Sequence, residues 1–387
     1  NLSVGNSVMG RLNINSGGRV ESTTGDLGTR SGVLGTVNVD GAGSRWTSSG
    51  DVNVGYTGQG AMNITGNGRV QGATASAGFI QGSSGAIVIN SNGELITQGR
   101  CTIGNQGVGT MNVTGGALVQ SAFGEIGVIA PGTVTVDGAG SRWMCSQRVS
   151  VGAGTGTGTL AITGGAVVQS ATGTLARYLG IGSVSIADEG SVWSMSGNLA
   201  VGGDVDLLQN GGTGTITIGA GGTLAADRIF LYPHGTVELN GGTLAASSIA
   251  IVFGTGGRHP LRSGVLHADV LEFGFQNEGA TLAPGLTIGH TTIVGDYVQL
   301  PAAALEIEMA GTNSGILFDR VDVVETAFLG GTLNLRFRND IVPSPNQSYV
   351  VLDSARIVGS FGNVASRGRL AVPGRGSFLV SYGAGST

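Results

Sequence analysis

The stretch Val37–Trp46 reads VNVDGAGSRW, and Val134–Trp143 repeats it as VTVDGAGSRW with one residue changed. Each copy opens with alternating apolar and polar residues, which is typical of a strand with one buried face. Each then enters a glycine-rich turn that leads to a tryptophan. Near copies of this kind indicate an internal repeat, and periods of roughly 20 to 50 residues are typical of solenoids and related arrays.

A second feature repeats with the same period: a short strand that ends in Val-Gly or Ile-Gly. Its glycine recurs at spacings of 50, 49, 48 and 50 residues, at Gly5, Gly55, Gly104, Gly152 and Gly202. A bulky apolar residue lies nine residues before each glycine after the first, at Trp46, Leu95, Trp143 and Trp193. We interpret these positions as structural positions of the repeat.

Each long repeat is itself double. A run that begins GRLNIN at Gly10 is matched 25 residues later by GTVNVD at Gly35. Further Leu-Gly or Ile-Gly dipeptides lie between the main ones, at Leu27-Gly28, Ile126-Gly127 and Ile181-Gly182. The physical unit is therefore about 24 residues with three short alternating strands. Such a unit buries its apolar face only by stacking on its neighbours. The pattern predicts an all-β fold, a parallel β-helix with about three strands per turn and glycines at the corners.

Composition agrees with this fold and excludes several others. The chain of 387 residues contains 74 glycines, but they do not recur at every third position as collagen requires. Hydrophobic residues reach 40%, which argues against disorder. The net charge is −5 with no lysine, so the basic stripe that nucleic-acid binding requires is missing. The sequence has no apolar run of about 18 residues, so no membrane span is predicted.

Changes in register suggest three segments. Residues 1–213 carry the tandem repeats of about 50 residues, and residues 214–295 continue the β-helix in an altered register. Residues 296–387 contain prolines and phenylalanines outside the repeat pattern, which we interpret as further coils and a C-terminal β cap. The residues Asn1–Gly5 are already in repeat register, so no N-terminal cap is expected.

Residues 283–362 resemble the end of passenger regions in the autotransporter family and in related exported bacterial repeat proteins. The matching stretches are APGLTIG (Ala283–Gly289), GDYVQ (Gly295–Gln299), LEIEMAG (Leu305–Gly311), FDRVDV (Phe318–Val323), AFLGGTLNL (Ala327–Leu335) and VGSFGNV (Val358–Val364). The resemblance implies a right-handed β-helix on a bacterial surface with an adhesive or structural role. Because some members carry enzymes on the same scaffold, the fold alone does not assign a function.

Few residues suggest chemistry. Asp40 and Asp137 occupy equivalent turn positions, to which we also assign the pair Asp188-Glu189. We expect these aspartates to accept backbone hydrogen bonds in tight turns, with catalysis and calcium binding as the alternatives. The histidines, which lack metal-ligand spacing, are expected at surface or turn positions and are His234, His259, His267 and His290. We predict no catalytic residue, no metal and no cofactor.

The tryptophans and cysteines each allow two interpretations. The tryptophans form either an aromatic stack in the core or a ladder on which sugars stack, and Leu95 in the same slot favours the core. Tyr56 and Phe123 are weaker candidates for a row that faces a ligand. Aligned by repeat, Cys101 replaces Leu2, Val52 and Val149, while Cys145 lies nearly two coils further on. Two coils span roughly 9.6 Å, which is too far for a disulfide, so two free thiols are predicted.

Two functions from different classes remain open. We favour an extracellular structural or adhesive rod of a bacterial surface, not an enzyme, whose partners are surface glycans, host or neighbouring cells, and copies of itself joined end to end into filaments. The alternative is a β-helix that binds or degrades carbohydrate, of the lyase or tailspike type. That alternative predicts a groove in which several acids and arginines converge from neighbouring coils.

Overall fold

The computed structural model describes residues 1–383 except 206–208, 254–258, 314, 339–340, 342 and 345–346. Strands account for 57% of the chain, parallel strands stack as a β-solenoid of about 13 turns, and the described residues contain no helix. The predicted all-β parallel β-helix is therefore confirmed. The repeat pattern was sufficient for this prediction because, within the tandem repeats, each strand pairs with the equivalent strand of the neighbouring turns.

The strands up to the end of the eighth turn are β1 (Leu2–Val4), β2 (Gly10–Ile14), β3 (Arg19–Ser22), β4 (Gly25–Leu27), β5 (Leu34–Asp40), β6 (Arg45–Ser48), β7 (Val52–Val54), β8 (Gln59–Thr65), β9 (Arg69–Gly72), β10 (Ala75–Ala77), β11 (Ser84–Ile89), β12 (Glu94–Thr97), β13 (Arg100–Ile103), β14 (Val108–Val113), β15 (Leu118–Ser121), β16 (Phe123–Ile126), β17 (Gly132–Asp137), β18 (Arg142–Cys145), β19 (Arg148–Val151), β20 (Thr157–Thr163), β21 (Val167–Ser170), β22 (Thr172–Leu175), β23 (Ile181–Ile186) and β24 (Val192–Met195).

The remaining strands are β25 (Leu199–Val201), β26 (Gly203–Asp204), β27 (Gln209–Asn210), β28 (Thr213–Gly219), β29 (Thr223–Leu231), β30 (Gly235–Ile251), β31 (Leu261–Leu271), β32 (Phe275–Asn277), β33 (Thr281–Leu282), β34 (His290–Ile293), β35 (Tyr297–Gln299), β36 (Ala304–Met309), β37 (Arg320–Leu329), β38 (Thr332–Phe337), β39 (Leu352–Gly359), β40 (Arg369–Val372) and β41 (Gly376–Leu379).

Strands β1–β24 come in threes, and each set of three makes one turn, so β1–β3 form the first turn and β22–β24 the eighth. First strands pair in parallel with first strands, as β1 does with β4 and β4 with β7. Second and third strands form their own parallel stacks in the same way, beginning with β2–β5 and β3–β6. Alternate residues face the interior, where apolar side chains of consecutive turns lie directly over one another.

The chain divides into two compact units, one of residues 1–225, 230–237 and 252–258, and one of residues 226–229, 238–251 and 259–387. Within the first unit, β26 and β27 form a short antiparallel pair outside the stacks. In the second unit, parallel pairing continues from β31 through β34 and β37 to β39. Near its end, β40 and β41 form an antiparallel hairpin, and Phe378 of this hairpin stacks on Phe337 at 5.2 Å between ring centroids.

In each of the first seven turns, a glycine with positive φ follows the first strand. The repeated glycines predicted from the sequence have φ between +69° and +78° at Gly5, Gly55, Gly104, Gly152 and Gly202. A Cβ atom added to Gly55 would lie 2.0 Å from the carbonyl oxygen of Ser84 in the next turn, so close strand-to-strand contact excludes a side chain as well.

The assignment of Ile181-Gly182 as one of the intermediate dipeptides that end a strand is wrong. Gly182 lies within β23 and pairs with Gly158 of β20, so it belongs to the second strand of its turn. The residue that follows the first strand of this turn is Ala176, which adopts a φ of +55°. An alanine in that position carries no glycine signal, which is why the pattern selected the wrong dipeptide.

Candidate ligand-binding groove

The slot that contains the tryptophans faces the interior. Trp46, Trp143 and Trp193 have no exposed surface, and neither does Leu95. Valines of the turns between them occupy the same slot, since Val119 pairs with both Leu95 and Trp143. Side chains buried in this way offer no face on which a sugar can stack. The slot is therefore a column of the core.

Each indole N–H is satisfied by a serine of the preceding turn. Trp46 Nε1 donates to Ser22 Oγ at 3.1 Å, and Trp143 Nε1 donates to Ser121 Oγ at 3.2 Å. Trp193 makes the equivalent bond to Ser170 at 3.3 Å. A buried polar group without a partner is costly, so these serines allow a tryptophan to lie wholly inside the solenoid.

Asp40 and Asp137 accept a hydrogen bond from a threonine side chain where a backbone donor was predicted, whereas Asp188 accepts one from the backbone as predicted. Thr65 Oγ1 of the next turn donates to Asp40 Oδ1 at 2.5 Å, and Thr163 Oγ1 donates to Asp137 Oδ1 at 2.6 Å. The backbone N–H of a neighbouring turn is bound instead by the serine of the same motif, as Gly17 N donates to Ser44 Oγ. These aspartates therefore link successive turns through side chains.

Asp188 does not occupy the position of Asp137. Asp137 pairs with Thr163 in the register of β17 and β20. In the register of β20 and β23, Ile162 pairs with Ile186, so Ala187 takes the position of Thr163 and Asp137 in this turn. Asp188 lies one residue later, adopts a φ of +73° and accepts a hydrogen bond from Gly164 N at 3.1 Å. The Asp188-Glu189 pair is thus a local turn feature.

Both cysteines are free, as predicted, and the structure shows that both are buried. Cys101 pairs with Ala75 and Gly124 in the first-strand stack, whereas Cys145 pairs with Ser121 in the third-strand stack. Ser121 Oγ is 3.2 Å from Cys145 Sγ. Burial raises the pKa of both thiols, that of Cys145 to about 12.

We therefore expect neither thiol of the folded protein to react with iodoacetamide at pH 8, because the thiolate is the reactive species. Mass spectrometry after labelling should show no adduct on the native chain and two adducts on the chain unfolded in guanidinium. Ser146→Cys is the positive control, since Ser146 is exposed beside Cys145 and should be labelled in the folded state. Alkylation of Cys101 at the rate of this control would contradict the buried placement.

The histidines do not form a common site. Burial lowers the pKa of His259, which packs against a phenylalanine ring at 4.7 Å between centroids. His290 Nε2 lies 2.7 Å from Asp322 Oδ2, while His234 is exposed and His267 is half-buried elsewhere. Among the residues that the structure describes, no group of three or more His, Cys, Asp or Glu side chains is arranged to hold a metal ion.

An open groove of about 510 Å³ crosses the fourth to eighth turns of the first unit. It follows the corner where each third strand leads into the first strand of the next turn. One column of outward-facing residues lines it in register, since Ile96 pairs with Gln120, Gln120 with Met144, and Met144 with Gln169. Serine, threonine and alanine residues form much of the remaining surface, and no Asp or Glu is among the described residues that line it.

A second column runs along the edge of this groove. Arg100 pairs with Phe123, and the pairing of Gly124 with Val149 places Arg148 beside Phe123 on the other side. The Arg100 guanidinium lies 5.5 Å from the centre of the Phe123 ring. These residues follow groove residues closely in the chain, as Phe123 directly follows Ala122.

The arginines of this column also make polar contacts with neighbouring side chains. Arg100 Nε lies 3.0 Å from Glu125 Oε1, yet the Arg100 side chain remains 61% exposed. Arg148 Nε donates to Ser150 Oγ at 3.2 Å. The groove and its edge thus combine amides, hydroxyls, apolar side chains and guanidinium groups, which is a set of groups suited to binding a carbohydrate.

Sequence reasoning selected Phe123 but missed the glutamines. Gln71, Gln120 and Gln169 recur at a spacing of 49 residues within the similar stretches VQGA, VQSA and VQSA. That spacing was a usable signal of an outward-facing column. It did not indicate concavity, because the groove depends on the angle at which the chain turns from a third strand to the next first strand.

No family model matches this chain, and neither does any curated protein or solved structure. The described residues contain no helix of the length and apolar character needed to cross a membrane. The fold itself places the chain among β-helix repeat proteins.

Proposed function

We propose that this chain is an extracellular structural and adhesive solenoid of a bacterial surface, of the type found in autotransporter passengers. The observation that carries the proposal is the open groove across five successive turns, which is lined by uncharged side chains. A groove that follows the stack suits an extended ligand, and the continuous buried core beneath it provides a rigid support.

Adhesion is favoured over catalysis by the chemistry of the groove. Glycoside cleavage by the common mechanisms needs two carboxyl groups on either side of one bond, and the described residues that line the groove include no carboxyl group. Gln120 and Gln169 offer amide donors and acceptors, while Ile96 and Met144 offer apolar surface. The set is suited to holding a ligand in place.

The alternative is a β-helix that degrades carbohydrate. Arg100, Glu125 and Arg148 supply charged groups from three consecutive turns at the edge of the groove, which is the observation that favours it. Release of new reducing ends from a polysaccharide by the purified protein would distinguish this alternative from a purely adhesive function.

The proposal predicts that filling the groove abolishes attachment. Beads coated with the protein should adhere to host or bacterial cells, and Ala171→Trp should reduce adherence to that of uncoated beads, because Ala171 lines the groove. Ala61→Trp is the matched control, since Ala61 lies on the second strand of the third turn. Failure of the unaltered protein to attach to any cell surface, or equal attachment by both variants, would contradict the proposal.

A further inference from the structure

The middle of the sheet formed by the second strands carries no charge on its outward side from the second turn to the ninth. These strands are β5, β8, β11, β14, β17, β20, β23 and β28, and they pair in parallel and in register. Their two central outward columns, which we call the second-strand face, contain in order of turn Thr36 and Asn38, Ala61 and Asn63, Ala86 and Val88, Thr110 and Asn112, Thr133 and Thr135, Thr159 and Ala161, Ser183 and Ser185, and Thr215 and Thr217. None of these side chains is charged and all are short, so no long charged group rises above the face.

Exposed apolar residues are concentrated along one edge of this face. In the first eight turns, the large apolar side chains that remain exposed are Val8, Met9, Val108, Ile129, Tyr178, Leu179 and Ile181. Every one of them lies in the connection from a first strand to a second strand or at the start of the second strand, and we call this edge the apolar rim. The opposite edge carries Asp40 and Asp137 at the ends of their strands. Concentrated apolar exposure of this kind is typical of an interaction surface.

The size of the face matches that of a stable protein interface. Eight strands about 4.8 Å apart extend for about 38 Å, and six residues of about 3.3 Å each give a width of about 20 Å. The product is about 760 Å², close to the roughly 800 Å² that each partner buries in an interface of standard size. The face is therefore large enough to hold a flat partner without help from the rest of the molecule.

From these observations we propose that the second-strand face packs against the same face of a second copy, as two sheets of a sandwich. A sandwich spacing of about 10 Å suits short side chains on both sheets. Two identical faces without charge do not repel each other, whereas identical charged faces would. Two-fold dimers are also the commonest symmetric assemblies.

The positions of the two rims select one orientation of the dimer. A two-fold axis parallel to the strands places the apolar rim of one copy on the apolar rim of the other, with the two stacks of turns running in opposite directions. An axis parallel to the stack would place the apolar rim on the edge that carries Asp40 and Asp137, where their carboxylates would lose water. The groove lies at the corner between third and first strands, so both grooves stay open. The inference thus goes beyond the proposed adhesive function and does not depend on it.

Sedimentation equilibrium of the full chain tests the dimer. At chain concentrations from about 1 to about 100 µM, chosen because an uncharged interface of this size is expected at the weak end of the affinity range, the mass should rise toward twice the 38.5 kDa of one chain. We expect the dimer to persist as ionic strength rises, because no ion pair holds the two faces together.

Thr133→Arg tests the face itself. Thr133 is exposed near the middle of the face, and its replacement buries an unpaired charge from each copy. The dissociation constant should rise at least about tenfold, the size of effect expected for a buried unpaired group. Thr47→Arg is the matched control, since Thr47 lies on the third strand of the second turn, outside both the face and the groove, and should leave the dimer unchanged.

Ile129→Ser tests the apolar rim independently. Ile129 is 57% exposed, so its replacement leaves the core intact and should weaken the dimer. Val324→Ser is the matched control, because Val324 is equally exposed at 57% but belongs to the second unit. Circular dichroism establishes that each variant is folded.

A chain that stays monomeric at every concentration would overturn the inference and leave the face to a partner of another kind. Persistence of the dimer in both Thr133→Arg and Ile129→Ser would place the contact elsewhere on the molecule. Equal weakening by Thr47→Arg, or a dimer that dissociates as salt is raised, would show that charge rather than this face controls association.

Discussion

Replacing Val54 by aspartate is expected to lower the free energy of unfolding by about 4 kcal/mol, because it places a carboxylate in an apolar interior. Val54 has no exposed surface, and it is held between Leu27 of the preceding turn and Ala77 of the next. The side chains above and below it therefore offer no hydrogen bond to the new group.

The matched control for this change is Asn13→Asp. Asn13 is exposed, and its Oδ1 accepts a hydrogen bond from Asn38 Nδ2 at 2.7 Å. A carboxylate in its place keeps that acceptor, so the free energy of unfolding should change by less than about 0.5 kcal/mol. Urea unfolding followed by circular dichroism measures both changes, and hydrogen exchange locates them along the chain. Similar unfolding midpoints for the two variants would contradict the assignment of inner and outer faces.

The interior of the repeats was largely predictable from sequence. Alternation with a period of two assigns Val54 to the core and Asn13 to the surface, and the spacing of Val-Gly pairs aligns Cys101 with Val52 and Val149 as the strand pairing shows. The reason is physical: a solenoid turn contacts only its neighbours, so the burial of a residue follows from its place within one period.

Two kinds of feature were not predictable in the same way. A turn can shift the position of a residue by one without changing the alternation of the strands on either side. Such a shift separates Asp188 from the position of Asp137, and the strand pattern does not reveal it. The groove depends on how the chain bends at a corner, and no periodicity records that angle. The column that contains Gln120 is visible in the sequence, whereas its concave setting is visible only in the structure.

Within the turns that carry tryptophan, the indole ring lies over a glycine of the same turn. A Cβ atom added to Gly124 would be 2.5 Å from Trp143 Cζ2, and one added to Gly25 would be 2.1 Å from the same atom of Trp46. The turn that carries Leu95 in this slot has Ala75 at the position of the glycine. Where the slot holds the large tryptophan, the facing position of the first strand is a glycine. Where it holds the smaller Leu95, the facing position is Ala75.

This complementarity predicts a compensating pair of substitutions. Gly124→Ala should lower the free energy of unfolding by about 2 kcal/mol, since the added methyl group overlaps the indole ring in a close-packed interior. Trp143→Leu alone should also destabilise the fold, by about 2 kcal/mol or more, because it leaves a cavity. The double variant Gly124→Ala/Trp143→Leu reproduces the Ala75 and Leu95 combination, so it should be clearly more stable than the sum of the two changes predicts.

A double-mutant cycle measured by urea unfolding tests this directly, because residues in contact show an interaction energy that separated residues do not. Gly274→Ala is the control for adding a methyl group, since a Cβ atom there would have its nearest contact at an ordinary 3.5 Å. We expect an interaction energy of at least about 1 kcal/mol between positions 124 and 143. If the two changes in the free energy of unfolding were strictly additive, the packing of the Trp143 indole ring would not depend on the absence of a side chain at Gly124.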